Sequence, residues 1–387
     1  MGRMEKIMNI KLIQLKIPFK NKFSHANHSR EISENALAIL TDENDLEAFG
    51  ESCPREYVTG ETFDSISNFI NSKEILIFIE LKSVDEIEEF KKKNVEIISL
   101  NPAGFCCVEM ALLNYFSLLK STTIEKLLNI KNKNNFKPNF KITTMVIGLE
   151  AFEEFEKKIK KYFIMGYIHF KIKIKSDANF LKILKYNLNR PIVKWILQIG
   201  GTFRLDGNNC FKDSTEVINY CHDLEDLIVA IEEPLFKNDY SSLAYLLDNF
   251  RIPIIVDDSF VLLKDLDAIL NKLINIKNSS KLILNIRISK NGGILNCLEI
   301  IKICEKLKIR YIIGSQVGET SLLTRAALCV INMASYKPLY FEGGFSKHLL
   351  THDPFFPNLS LSFFGKIKNY NKVVKKIAFG LKYNSME

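Results

Sequence analysis

From Ile142 onward the chain repeats one unit, a short β-rich run followed by a helix-length segment whose apolar residues recur at helical spacing. The runs are Thr143–Gly148, His169–Ile174, Phe203–Asp206, Ile228–Ile231, Pro253–Val256, Leu282–Ile288, Tyr311–Gly314 and Leu339–Phe341. Ala151–Met165, Ser241–Phe250 and Ile294–Leu307 are among the helices predicted between them. A crossover helix returns the chain in the same direction, so strands joined this way pair in parallel. Eight such units in about 200 residues fit the α/β class, as a (β/α)8-type barrel. A doubly wound open sheet is the structural competitor. It usually carries a Gly-rich phosphate turn after its first strand, and Gly148-Leu149-Glu150 is not one.

Residues 1–130 have another texture. Ile7–Ile17 and Ala36–Leu40 read as strands, and Ser83–Lys93 and Cys107–Ser117 as helices. Ser83 with Glu86 three residues on has the spacing of a capping box. This is a separate α+β domain, joined to the barrel through the Asn/Lys-rich linker Asn129–Phe140. The expected division is 1–130 for the α+β domain, 131–355 for the barrel and 356–387 for a C-terminal segment.

Composition narrows the partners. The net charge of +8 rests on 53 basic residues of which only 9 are Arg, with Lys interspersed among Asp and Glu. That describes a solvated Lys-rich surface rather than a nucleic-acid face, and it favours anionic small substrates. No apolar run approaches the roughly 18 residues needed to span a bilayer, so no membrane is expected. The start of the chain lacks the uninterrupted apolar stretch of a signal peptide. Of the 8 Cys, only Cys106 and Cys107 are neighbours and no C-x-x-C pair exists. Reduced, buried thiols in cytoplasm are expected, without zinc.

Charged clusters fall at the C-terminal ends of successive predicted barrel strands: Lys171 and Lys173, then Asp206 and Asn208, then Glu232-Glu233, then Asp257-Asp258. Glu232 follows Asp206 by 26 residues and Asp257 follows Glu232 by 25, one βα unit each. Carboxylates in that register converge at the barrel mouth, where such enzymes place their sites. Three hard oxygen donors around an open centre suit Mg2+. Alternation puts Lys171 and Lys173 on one strand face, toward the interior. Mutual repulsion and burial are expected to lower both ammonium groups toward a usable base. Taken singly, an Asp after a strand is often a helix cap and a Lys-x-Lys pair a solvated edge. In barrel register, coincidence is the weaker account.

With these clusters in hand, the sequence resembles the enolase superfamily, and within it the muconate lactonizing enzyme subgroup. Residues 1–130 then resemble that subgroup's capping domain, with the C-terminal segment packing back toward the cap. Gly50-Glu51-Ser52 and Tyr57-Val58-Thr59-Gly60-Glu61-Thr62 are similar to its specificity-loop region. Glu319 resembles the acidic residue ending the seventh strand. The resemblance implies Asp206, Glu232 and Asp257 as Mg2+ ligands, with Asn208, Glu233, Asp258, Lys290 and Glu319 as the groups around them. It implies Lys173 as the strand-two acid/base and Lys171 as its charge-tuning partner. The chemistry implied is removal of a proton alpha to a carboxylate, with Mg2+ stabilising the enediolate.

One position departs from the pattern. Where the subgroup usually has a second catalytic Lys on strand six, this chain has Asn285-Ile286-Arg287, with Lys290 three residues on. Arg keeps its proton at physiological pH and is a poor base. Lys290 lies an odd number of residues beyond Arg287, so continued alternation turns it away from the interior, toward the following loop. Arg287 is expected as a fixed cation opposite Lys173. That favours one-base cycloisomerisation or syn-dehydration over the alternative, epimerisation of dipeptides or N-acylamino acids, which needs a base on each face. Dipeptide epimerases commonly hold the substrate ammonium with Asp-x-Asp on strand eight, where this chain offers only Glu342. His169 is expected to be a hydrogen-bonded interior residue. His25, His28 and Arg30 fall in a predicted mobile cap loop and, with Tyr57 and Glu342, are the candidate contacts to a small carboxylate substrate. A homo-oligomer is expected, and a non-catalytic binding protein on a retained barrel is the reading from another class.

Overall fold

The computed structural model describes residues 8–25, 28–128, 142–148, 154–273 and 279–384. The predicted linker Asn129–Phe140 lies outside them, as does the start of the predicted helix at Ala151.

Seven parallel strands form one sheet: β4 (Thr144–Ile147), β5 (His169–Lys173), β6 (Thr202–Asp206), β7 (Ala230–Glu232), β8 (Ile254–Val256), β9 (Leu282–Ile286) and β10 (Arg310–Ile313), paired in that order. The predicted eighth strand is too short to form a regular element. It nevertheless closes the barrel: Phe341 bridges both Thr143 and Ile313, and Leu339 and Glu342 donate to Tyr311 and Ile313 at 2.9 and 2.8 Å. Side chains facing outward, such as Phe170, Ile172, Phe203, Leu205 and Leu284, sit in the main apolar core against the helices. Inward-facing Ala230, Ile255, Ile283 and Ile312 make a second, small apolar cluster inside the barrel. Both faces are thus covered, as parallel sheets require.

Before the barrel, β1 (Asn9–His25), β2 (His28–Thr41) and β3 (Glu47–Ser52) form an antiparallel sheet. The first two pair as one long hairpin out to His25 and His28. The predicted mobile loop at His25, His28 and Arg30 is therefore strand, because beyond a register shift after Pro18 the pairing resumes at Phe23 and Arg30 and runs to His25 and His28. The helix predicted at Ser83 starts at Val84, with the Ser83 hydroxyl accepting from Glu86 N at 3.2 Å. The Glu86 carboxylate reaches back to Lys82 N rather than Ser83 N.

The helix Pro102–Leu119 corrects the expectation about apolar runs. It is 18 residues long with mean hydropathy 1.4, enough to cross a bilayer by length and composition, yet 89% of it is buried. It packs against β3 and against the barrel helix Gly293–Leu307, which makes it a core helix. Its Glu109 accepts from Ile294 N and Leu295 N, each at 2.8 Å, and so caps that barrel helix. Glu51 of β3 likewise accepts from Thr320 N and Leu323 N at the start of helix Ser321–Met333. Asn35 donates to Gly318 O at 2.8 Å and Cys53 N to Ser289 Oγ at 2.8 Å. The cap therefore holds the two loops that follow β9 and β10, at the end of the barrel where the charged clusters lie. Near the C-terminus the Tyr383 ring lies 5.3 Å from Phe49 of β3.

Candidate active site

Strand alternation builds the site. On β5, Lys171 and Lys173 point inward and are buried, while Ile172 between them is in the outer core. Parallel register sets Lys173 beside Asp206 and Asp206 beside Glu232. Asp257 directly follows β8. All three carboxylates are buried at one end of the barrel.

Lys173 Nζ lies 3.2 Å from Asn208 Oδ1 and 3.7 Å from Asp206 Oδ2. Asn208 also donates to Asp206 Oδ1, so it ties base and carboxylate together. Burial lowers the Lys173 ammonium below its usual value; Asp206 opposes this and Lys171 adds to it. Lys171 behaves otherwise, against the expectation from sequence. Burial works against its charge too, but Glu232, Glu342 and Asp206 outweigh it and hold the ammonium above its usual range. Its Nζ lies 2.6 Å from Glu342 Oε2, 3.1 Å from Glu232 Oε1 and 3.8 Å from Asp206 Oδ2. Three carboxylates around one ammonium leave no basic lone pair.

Glu342 is likewise not where a substrate contact is expected. It is buried inside the barrel between Lys171 and Arg204, which hold its carboxyl below the usual value against the effect of burial. Lys290 does not turn away: β9 stops at Ile286, so alternation no longer applies. The chain then turns, and Lys290 Nζ donates to Asn285 O, Asp257 O and Asp257 Oδ1 at 2.9, 2.7 and 2.9 Å. Burial and the nearby Arg287 lower the Lys290 ammonium to about 7. Arg287 pairs with the other Asp257 oxygen, Oδ2, and donates to Gln316 Oε1 at 2.7 Å.

Glu233, at φ 38°, turns away from Glu232 and accepts from Asp257 N at 2.5 Å and from the Ser259 hydroxyl. It thereby fixes the loop that carries Asp257. Burial, then Asp258, push its carboxyl up to about 7. Burial also raises Asp258. Glu319 lies beyond the end of β10 and folds onto its own loop, accepting from Gln316 N at 2.6 Å; burial raises it to about 8. Burial raises the Tyr57 hydroxyl, with Arg55, Arg287 and Asp258 among the charges acting on it. Arg30 faces a cleft in the cap together with Gln14, Glu34, Pro54 and Glu56. The side chain of His25 lies outside the described residues.

The donor set suits a hard cation: three buried carboxylates at one rim, with Glu232 Oε2 accepting no hydrogen bond among the described residues and Arg204 Nη1 3.9 Å from it. Among the described residues, though, no three such groups are drawn together into a ready-made ion site. Arg287 and Lys290 engage both oxygens of Asp257, and Lys171 with Asn285 engages Glu232 Oε1. The residue types fit Mg2+, and their present partners are internal cations.

The family described as Enolase C-terminal domain-like matches residues 154–362, more than half of the chain. The chain belongs to that family. This enolase-like chain is 24% identical over 325 residues to a hydrophobic dipeptide epimerase of Enterococcus faecalis, covering 83% of this chain and 86% of that one. Among solved structures, a dipeptide epimerase from Methylococcus capsulatus, complexed with Mg and the dipeptide L-Arg-D-Lys, superposes with TM-score 0.80. It is 20% identical, over 98% of this chain and all of that one. A 2-chloromuconate cycloisomerase from Rhodococcus opacus superposes with TM-score 0.79 at 16% identity, over 98% of each chain.

The enolase-like site also uses residues that were not singled out in the sequence. Arg204 is fully buried, donates to Glu342 and to Thr144 Oγ1, and lies 4.1 Å from the Tyr340 ring centroid. Asn285 donates to Glu232 Oε1 at 3.0 Å. Alternation was the available signal, since Arg204 stands two residues before Asp206 and Asn285 two before Arg287.

Proposed function

We propose that the protein is an isomerase that removes the proton alpha to the carboxylate of a dipeptide or N-acylamino acid, with Mg2+ held by Asp206, Glu232 and Asp257. The observation that carries this reading is the contrast between two lysines on one strand face. Lys173 is lowered by burial and tethered only through Asn208 and Asp206, so it is the base. Lys171 is a permanent cation among carboxylates. Mg2+, when bound, supplies the Lewis acidity that makes such a proton removable. Asn208 aims Lys173, Glu233 and Lys290 fix Asp257, and Arg287 sets a constant positive charge across from Lys173. Kinship with dipeptide epimerases supports epimerisation as the outcome.

A second reading, one-base cycloisomerisation or dehydration, is supported by Arg287. A group that keeps its proton cannot act as the second base.

Solvent exchange separates these readings. L-Arg-L-Lys and L-Ala-L-Leu are incubated with enzyme and Mg2+ in D2O and the α-position is followed by NMR. Deuterium in both configurations supports the epimerase, and deuterium with configuration retained supports the one-base reading. Absence of exchange by a protein that binds Mg2+ in calorimetry overturns the epimerase reading. Lys173→Ala is expected to lower exchange by about 10²–10⁴ while Mg2+ still binds. Retained exchange refutes the assignment of the base.

A further inference from the structure

The barrel interior is filled unevenly. Around β7 to β10 the inward positions below the site are Ala230, Ile255, Ile283 and Ile312. On the other side a polar series runs upward toward the carboxylates. His169 Nδ1 is 2.8 Å from Thr202 Oγ1, which is 3.2 Å from the Tyr340 hydroxyl. The Tyr340 ring carries the Arg204 guanidinium on its face. Arg204 pairs with Glu342 Oε1, and Glu342 Oε2 accepts from Lys171 at 2.6 Å. Above Lys171 stand Glu232 and Asp206.

Burying an arginine is costly unless its charge is met. Glu342 meets it, and the Tyr340 face contributes a cation–π contact. With one oxygen fixed by Arg204, Glu342 has its second oxygen left for Lys171. That contact is the shortest the ammonium makes, against 3.1 Å to Glu232 and 3.8 Å to Asp206. Without Glu342, the ammonium's remaining acceptors are the two carboxylates assigned to the ion.

We infer that Glu342, locked by Arg204, is a positioning residue that anchors Lys171 from below and keeps its ammonium from moving further onto Glu232 and Asp206 than its present 3.1 and 3.8 Å. The inference rests on the function proposed above for its consequence, Mg2+ affinity, but not for its geometry. Glu342 acts through Lys171; Arg204 holds Glu342 and also lies 3.9 Å from Glu232 Oε2.

The test reads both levels in the full-length chain. In 15N-lysine-labelled protein without added metal, Glu342→Gln is expected to shift the Lys171 Nζ resonance, as the ammonium moves from Glu342 onto Glu232 and Asp206. Arg204→Met with Glu342→Gln removes both buried charges together and is expected to do the same, so a misfolded single variant does not end the test. In calorimetry, both variants are expected to bind Mg2+ about tenfold more weakly. That loss is expected to vanish when Lys171→Met is added, because nothing is then left to compete for Glu232 and Asp206. An unchanged Lys171 Nζ resonance overturns the inference, as does an equal loss of affinity in the Lys171→Met background. A wild-type chain that binds no Mg2+ while Lys171 responds as expected sinks the proposed function alone.

Discussion

Glutamates are buried in two parts of this molecule and behave oppositely. Glu342, inside the barrel, faces Lys171 and Arg204, and these cations keep it below its usual value despite burial. Glu51, Glu61 and Glu109, in the cap, are as deeply buried, but their main partners are backbone amides and a hydroxyl. Burial, only partly offset by those hydrogen bonds, raises each to about 7. A buried carboxylate is therefore a fixed charge or a titrating group according to what it faces. In the barrel Glu342 is of the first kind, whereas Glu233 and Glu319, which accept from donors on loops, are raised by burial like the cap glutamates that grip helix ends. Each helix N-terminus so gripped gains from a negative charge, which is why these glutamates remain useful although burial opposes their ionisation.

The largest expected effect breaks the pairing on the barrel side. Arg204→Met alone leaves the buried Glu342 with one cation instead of two. A cost of about 3–5 kcal/mol in urea unfolding is expected, as for other broken buried ion pairs. Adding Glu342→Gln is expected to recover most of it, since both charges then leave together. If the single variant is as stable as the wild type, the pair is not an essential charge balance and the contrast with the cap fails.

The next effect sharpens the contrast through pH. For Glu51, Glu61 and Glu109 the folded value of about 7 lies above the ordinary value of 4.5. Between those limits the folded chain binds more protons than the unfolded one, so these groups make stability fall as pH rises from 4.5 to 7. The cost is fully present above 7, at roughly 1–3 kcal/mol per group. Glu342 has the opposite sign. Its contribution is present above 4.5 and lost only as pH falls through its lowered folded value. Unfolding free energies measured from pH 4.5 to 8 are expected to slope downward, and Glu109→Gln to flatten part of that slope. A wild-type slope that the variant leaves unchanged contradicts the assignment.

How much of this was legible follows from distance along the chain. The barrel and its carboxylates repeat every 25 or 26 residues, a local regularity that a single sequence displays, and Lys171, Lys173 and Asn208 sit within it. Lys290 was misread because alternation was extended past Ile286, where β9 ends. Glu342 was misread because its partner Arg204 lies 138 residues away, and nothing local reveals that an interior arginine needs an acid. Glu51 and Glu61 were legible only as parts of a resemblance. Their roles depend on amides 269 and 42 residues distant, and helix caps drawn from so far leave no spacing to read. Glu109 is the plainest case: one acid in an apolar helix whose partners Ile294 and Leu295 belong to the barrel.

The smallest effect is expected at Glu61, and it distinguishes capping from general burial. Its two oxygens accept from Ala103 N at 2.8 Å and Gly104 N at 2.7 Å, at the start of helix Pro102–Leu119. Pro102 has no N–H to satisfy, so these two amides are the first donors the helix leaves open. Glu61→Gln retains a carbonyl oxygen able to serve one amide and removes a charge that is costly above pH 7. The two changes oppose each other, and the net loss at pH 8 is expected to be about 0.5–1 kcal/mol or less. At pH 5.5, where the wild-type carboxyl is already protonated in the folded chain, the charge no longer differs and only the amide contacts are compared. A variant that costs more at pH 5.5 than at pH 8 supports this account, because the relief from removing the charge exists only at the higher pH. The reverse order would mean that Glu61 is held ionised across the whole range, as Glu342 is, and would erase the distinction between carboxylates that face amides and those that face cations.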